Sequence, residues 1–151
     1  MPESNAIQQA ITTIVAWSTR NDVYQETMRR AKCSLPQGTV WLLGRLAKSE
    51  PTRLTEIAAA LGVDNSTLTP QVQRLERDGL VVRKVDARDR RAALLQVTRS
   101  GRTVLARLHR TRAQMFNEIL SGWSDRDRAQ TAKVLNRLAE QLDSWTDGSR
   151  I

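Results

Sequence analysis

Residues 54–98 constrain this chain more than any other stretch, because two helical segments and two β-rich runs follow one another with almost no linker. Leu54 to Arg77 reads LTEIAAALGVDNSTLTPQVQRLER. Ile57, Ala58 and Leu61 recur at helical spacing, Thr55 is placed to cap that helix, and Gly62 is placed to stop it. Asp64 stands where a second helix would be capped, and Leu68, Val72 and Leu75 form its apolar stripe up to Gly79. Leu80 to Thr98 then reads LVVRKVDARDRRAALLQVT, with β-branched runs on either side of a tip at Asp86 to Arg91. The tip has no Gly or Pro for a two-residue turn, so a longer hairpin loop is expected. Helix, turn, helix and hairpin in this order make a winged helix-turn-helix, so the expected fold is mainly α with a small β-hairpin wing.

The charge distribution names a class of partner. Between Arg74 and Arg112 stand twelve Lys or Arg against four Asp or Glu, which accounts for the whole net charge of +8. Any one of these cations could belong to a solvated face. Concentrated on the end of one helix, the hairpin and the helix after it, they point to a polyanion. On the second helix Asn65, Ser66, Thr67, Thr69, Gln71, Gln73 and Arg74 form a polar set suited to a DNA major groove. At the hairpin tip, Arg88 or Arg90 is expected in the minor groove, where narrow A·T tracts concentrate negative potential. Arg91 would contact phosphate or brace Asp86. The plain alternative is a solvated loop in which Asp86 and Asp89 pair off two of the arginines.

The run from Leu54 to Arg102 resembles the MarR-type transcriptional regulators. The likeness rests on the helix-turn-helix, the exit Leu75-Glu76-Arg77-Asp78-Gly79-Leu80-Val81 and the tip pattern Asp86-x-x-Asp89-Arg90-Arg91. Residues 34–48 and 124–145 fit the family's pattern more loosely. Thr67-Leu68-Thr69-Pro70 also looks like the organic-hydroperoxide-sensing branch, whose reactive cysteine lies early in the first helix, where this sequence has none. The resemblance implies a homodimeric DNA-binding regulator with terminal dimerisation helices, in which a wing-tip arginine enters the groove. It also implies release from DNA by small, often phenolic, anions.

The flanking segments are read as helices with one apolar face. Ala6 to about Lys32 lacks Gly and Pro and carries Ile7, Ile11, Ile14, Val15 and Trp17, continued more sparsely by Tyr24 and Met28, so one long helix is expected. A second helix is expected to begin at Ser34, with Pro36 in its first turn and Gln37 completing a capping box. After the wing, Thr98 should cap a helix to about Leu120, and Ser124 another bearing Leu135, Leu138, Leu142 and Trp145. The organisation expected is a DNA-binding lobe at 34–98 and a helical dimerisation region at 6–32 plus 99–146. Residues 6–30, 104–120 and 130–145 would form the seam between two copies; burial within one chain is the alternative.

The remaining chemistry is sparse. One Cys and one His cannot build a protein-only zinc site without carboxylates, and no ligand spacing is visible. No phosphate-binding glycine loop or nucleophile elbow occurs, so neither an enzyme nor a cofactor is expected. Cys33, beside Arg29, Arg30 and Lys32, is either a partly buried small hydrophobe or an oxidant sensor with a lowered pKa. Trp17, Tyr24 and Trp41 are core residues or the lining of a cleft for a small aromatic or anionic effector, with Arg29 or Arg45 meeting its carboxylate. The sequence has no apolar run near membrane length and opens on no cleavable signal, so a soluble, cytoplasmic protein is expected. The reading is a repressor of a palindromic operator. Its rivals are a redox-controlled repressor using Cys33 and a winged-helix protein-interaction module without sequence reading.

Overall fold

A computed structural model describes residues 1–148, with seven helices and one three-stranded sheet among them. In chain order these are α1 (Pro2–Ser18), α2 (Asn21–Arg30), α3 (Gln37–Ala47), β1 (Thr52–Arg53), α4 (Leu54–Leu61), α5 (Asn65–Arg77), β2 (Val81–Val85), β3 (Ala93–Val97), α6 (Arg99–Ile119) and α7 (Asp125–Gly148). The chain forms two compact units, residues 1–112 and residues 113 onward, with the division falling inside α6. No helix is long and apolar enough to cross a membrane among the described residues.

The first unit is built around the winged helix. Leu42, Leu43, Val72, Leu75, Leu95 and Leu108 are almost completely excluded from solvent, which places α3, α5, β3 and α6 around one core. The apolar stripe expected on the second helix is buried as read: Leu68, Val72 and Leu75 all face inward. Gly62 and Gly79 both take positive φ, +66° and +69°, and so end α4 and α5 in a conformation that costs glycine nothing. Pro70 sits within α5 without breaking it. The Thr98 hydroxyl accepts the Gly101 N–H at 3.1 Å and donates to the Gly79 carbonyl at 2.7 Å, so it caps α6 and joins it to the exit of α5.

Four local expectations need correction. The segment from Ala6 to Lys32 is two helices, not one. Arg20 adopts an extended conformation (φ −63°, ψ 136°), and the chain restarts as α2, whose Tyr24 and Met28 are buried whereas α1 buries no residue. The next helix begins at Gln37, not Ser34, with Pro36 in the N-cap position and no side-chain cap. Thr55 does not cap α4; Arg53 holds that position, and the Glu56 carboxylate accepts the Arg53 N–H at 3.0 Å. Finally, the hairpin gains a third strand. The sheet order is β1-β3-β2, with Thr52 opposite Leu95 and Arg53 opposite Leu94, while β2 and β3 pair from Val81–Val97 to Val85–Ala93. A two-residue strand has no alternation to read, which is why its sequence passes for loop.

α2 belongs to the winged-helix core. Tyr24, Met28 and Ala31 are buried with Leu35 and Val40, and the Tyr24 hydroxyl donates to the Leu35 carbonyl at 2.6 Å. α1 buries no residue, and Ile7, Ile14 and Val15 stay half-exposed. In the second unit Ser124 caps α7 by accepting the Asp127 N–H at 3.2 Å, as expected from sequence. There Ile119, Trp123, Val134 and Leu135 are also exposed.

Candidate nucleic-acid interface

The recognition helix α5 sorts its polar residues by exposure. Asn65, Ser66, Thr67 and Gln73 are exposed, whereas Thr69, Gln71 and Arg74 are half-buried. The Thr69 hydroxyl is turned onto its own helix, donating to the Asn65 carbonyl at 2.8 Å. The Gln71 amide packs toward Gly38 at the start of α3, with its Oε1 buried and unpartnered. Arg74 donates through Nε to Asp78 at 2.7 Å and through Nη2 to the Ser34 carbonyl at 3.3 Å. The polar pattern of the sequence assigns Gln71 and Arg74 to base reading, but the helical twist turns them toward α3 and the loop before it. Arg77, one turn beyond Gln73, lies on the exposed side instead. Its spacing from Ser66, Pro70 and Gln73 could have revealed it in the sequence.

The wing tip spans Asp86 to Ala92, between the end of β2 and the start of β3. Arg88, Arg90 and Arg91 are exposed, and none of them forms an ion pair among the described residues. The acidic residues do not pair off these arginines, and Arg91 does not brace Asp86. Asp86, only 7% exposed, takes the guanidinium of Arg53 on one oxygen and the Arg88 N–H, at 2.9 Å, on the other. These two contacts, the backbone one first, hold its carboxyl below the ordinary aspartate value of 3.8. Asp89 accepts the Arg91 N–H at 3.0 Å. The tip therefore spends its carboxylates on its own backbone and on Arg53, and leaves its three arginines to solvent. At its base, Arg83 of β2 donates to Glu76 of α5 at 2.7 Å and links the wing to the recognition helix.

Two cavities adjoin this lobe within the first unit. One, of about 470 Å³, has Trp41, Tyr24 and Leu105 in its wall and Arg45, Lys48 and Arg112 among its lining cations. The other, of about 600 Å³, is lined by Tyr24, Met28, Arg29, Cys33 and Arg74 together with amide side chains. The structure thus separates the residues expected to line one cleft. Tyr24 lines both cavities, Trp41 and Arg45 line the first, Arg29 lines the second, and Trp17 lines neither. Arg29 is moreover engaged by Glu26, at 2.7 Å, in a cluster with Arg30 that pulls the Glu26 carboxyl down to about 2.

Cys33 is half-buried, and burial raises its thiol pKa above the ordinary value of 9.0 despite the opposing influence of Arg107. Of the three cations expected to activate it, Arg29, Arg30 and Lys32, the first two are turned to Glu26. Among the described residues no group of three or more His, Cys, Asp or Glu could hold a metal ion.

Comparison with known proteins agrees with this geometry. Residues 36–93 match the model of the MarR family. The chain is 27% identical over 132 residues to YxaD of Bacillus subtilis, an uncharacterized HTH-type transcriptional regulator, covering 87% of this chain and 90% of that one. Other curated regulators are matched over as little as 53% of their own length. Among solved structures, the transcriptional regulator Tm0710 from Thermotoga maritima superposes with a TM-score of 0.69 at 25% identity, over 95% of this chain and 96% of that one. The Staphylococcus aureus MepR–DNA complex shares the fold, with a TM-score of 0.62 at 20% identity over 89% of this chain and 98% of that one. With α3, the helix-turn-helix and the wing tip all inside the matched region, residues 36–93 carry the winged helix that the MarR family model describes.

Proposed function

We propose that the chain is a homodimeric, sequence-specific DNA-binding regulator that represses a near-palindromic operator and is released by a small-molecule effector in the cytoplasm. The observation that carries the reading is the wing tip. Three exposed arginines stand on a sheet whose own carboxylates are used elsewhere, so their charge is available to phosphate. Asn65, Ser66, Thr67, Gln73 and Arg77 on α5 supply the major-groove contacts, and Arg88 or Arg90 enters the minor groove. That MepR, which shares the fold, is described in complex with DNA supports the same partner here.

Residues 34–98 hold the DNA-contacting elements of the lobe. Of the flanks expected to dimerise, 6–32 and 99–146, α2 and the start of α6 pack into that lobe's core, which leaves α1, the end of α6 and α7 for the dimerisation region. Half-exposed Ile7, Ile14 and Val15 on α1, and Ile119, Val134 and Leu135 in the second unit, are the apolar surface a second copy would cover. Two-fold symmetry then sets the half-sites about 10–10.5 bp apart. The effector cavity is the one walled by Trp41 and Tyr24. Its aromatic wall and its cations Arg45, Lys48 and Arg112 suit a small aromatic anion. The raised thiol pKa speaks against oxidant sensing through Cys33.

Selection of bound sequences from a random DNA pool, followed by titration at several salt concentrations, tests the reading. Wild-type protein should select a palindrome. Arg88→Ala and Arg90→Ala should each lower the slope of log affinity against log salt by about 0.9 for every phosphate that the variant no longer neutralises. Binding like wild type by both variants at every salt concentration would overturn the DNA role of the wing. Failure to select any sequence would favour a protein-interaction module.

A further inference from the structure

The tip of the wing is tied to the start of the helix-turn-helix by an ion pair that spans 33 residues of chain. Arg53 ends β1 and stands at the N-cap of α4. Its Nε and Nη2 reach the same Asp86 oxygen at 3.0 and 2.5 Å, and Nη2 lies 3.9 Å from Asp89. Its backbone is held in turn, because Glu56 accepts the Arg53 N–H at 3.0 Å and the Thr52 hydroxyl at 2.7 Å. On the other side Asp86 accepts the Arg88 N–H and donates its own N–H to the Ala92 carbonyl at 3.2 Å. Glu56, Arg53, Asp86 and the backbone of Arg88 thus form one continuous chain of contacts from α4 to the arginines of the tip.

We infer that Arg53 and Asp86 are positioning residues for the wing: together they set the direction in which Arg88 and Arg90 leave the sheet. The sheet alone does not do this. The β2–β3 ladder ends at Val85–Ala93. Within the tip, Asp89 closes residues 89–92 by accepting the Ala92 N–H at 2.9 Å and the Arg91 N–H at 3.0 Å. It is therefore the Arg53–Asp86 contacts that tie residues 86–88, and with them the tip, to α4. An unanchored tip would lose its freedom on meeting DNA and weaken binding by that amount; an anchored one has lost it on folding. The buried carboxylate also explains why Arg53, a cation beside the wing, is not itself a free charge for DNA.

The inference rests on the DNA-binding reading, but its test separates the two. Asp86→Asn removes a negative charge beside the arginines, so electrostatics alone predicts tighter DNA binding, whereas loss of positioning predicts weaker binding. The signs are opposite. Asp86→Asn, Arg53→Gln and the double variant are compared by operator titration, thermal melting and amide hydrogen exchange of residues 86–92. Expected are an operator affinity about tenfold lower in each single variant, no further loss in the double, faster exchange at the tip and little change in melting. Arg53→Gln, altering a one-third exposed side chain, keeps the test available should Asp86→Asn fail to fold. Asp86→Asn binding as tightly as wild type or more tightly, or tip exchange unchanged in both single variants, would overturn the inference. If wild-type protein selects no DNA, the DNA reading fails, while the exchange measurement still decides whether this pair orders the tip.

Discussion

Arg74 of the recognition helix donates to the carbonyl of Ser34, 3.3 Å away, and so joins α5 to the loop that precedes α3. A second bond from the same guanidinium, 2.7 Å to Asp78, leaves Arg74 committed within its own lobe. Gln73, its neighbour in sequence, faces solvent. Gln73→Ala is therefore expected to lose about 1–3 kcal/mol of discrimination between operator and scrambled DNA, the range of a good base contact. Arg74→Ala should weaken both DNAs alike and leave their ratio nearly unchanged. Paired titrations on the two DNAs measure that ratio directly.

The dimer predicted for this chain can be tested without disturbing the protomer's core. Leu135 is 47% exposed, so Leu135→Asp leaves its charge hydrated in the isolated chain and buries it only when a second copy covers α7. An unpaired charge in such a seam costs several kcal/mol. Sedimentation velocity at micromolar concentration should show a dimer for wild type and a monomer for the variant. A monomeric wild type would sink the proposed dimer.

Gly101, near the start of α6, is required by close packing. A Cβ at this position would stand 2.3 Å from the Leu80 carbonyl oxygen and 2.7 Å from a Val97 methyl. The backbone oxygen cannot swing away as a flexible side chain would. Alanine ordinarily favours a helix by about 1 kcal/mol over glycine, but here steric overlap should win, giving a net loss of about 1–3 kcal/mol. The midpoint of urea unfolding, at unchanged slope, reads this loss.

Cys33 should behave as a packing residue. Its thiol pKa is raised by burial, so at neutral pH the thiolate is scarcer than in a free cysteine. Alkylation of the native protein by iodoacetamide at pH 7.4 should be slower than that of the unfolded chain. Cys33→Ser should keep both DNA binding and effector release. A variant that still binds DNA but no longer responds in cells would restore the oxidant-sensing reading.

Local patterns in the sequence determined much of this protein. The stripe of Leu68, Val72 and Leu75, the glycines at 62 and 79, and the caps at Thr98 and Ser124 follow from helical periodicity, positive φ and side-chain hydrogen bonding. Each involves residues a few positions apart, so each is legible in one dimension. The dense arginines of the tip were equally legible as a charge pattern. Only the tertiary structure decided which polar residues of α5 face outward, because that depends on where α3 and Ser34 stand against it. The same holds for Arg53. The acids within a turn of it are Glu50 and Glu56, yet its guanidinium meets Asp86, 33 residues away, which arrives only when β1 and the wing are brought together in one sheet. The break at Arg20 was hidden for a different reason, since neither Gly nor Pro marks it. There the burial of Tyr24 and Met28 in the winged-helix core gives α2 a separate place to pack from α1, which buries no residue. Non-local pairing and competing packing carry no local signature, and they fix the side chains on which the proposed DNA reading depends.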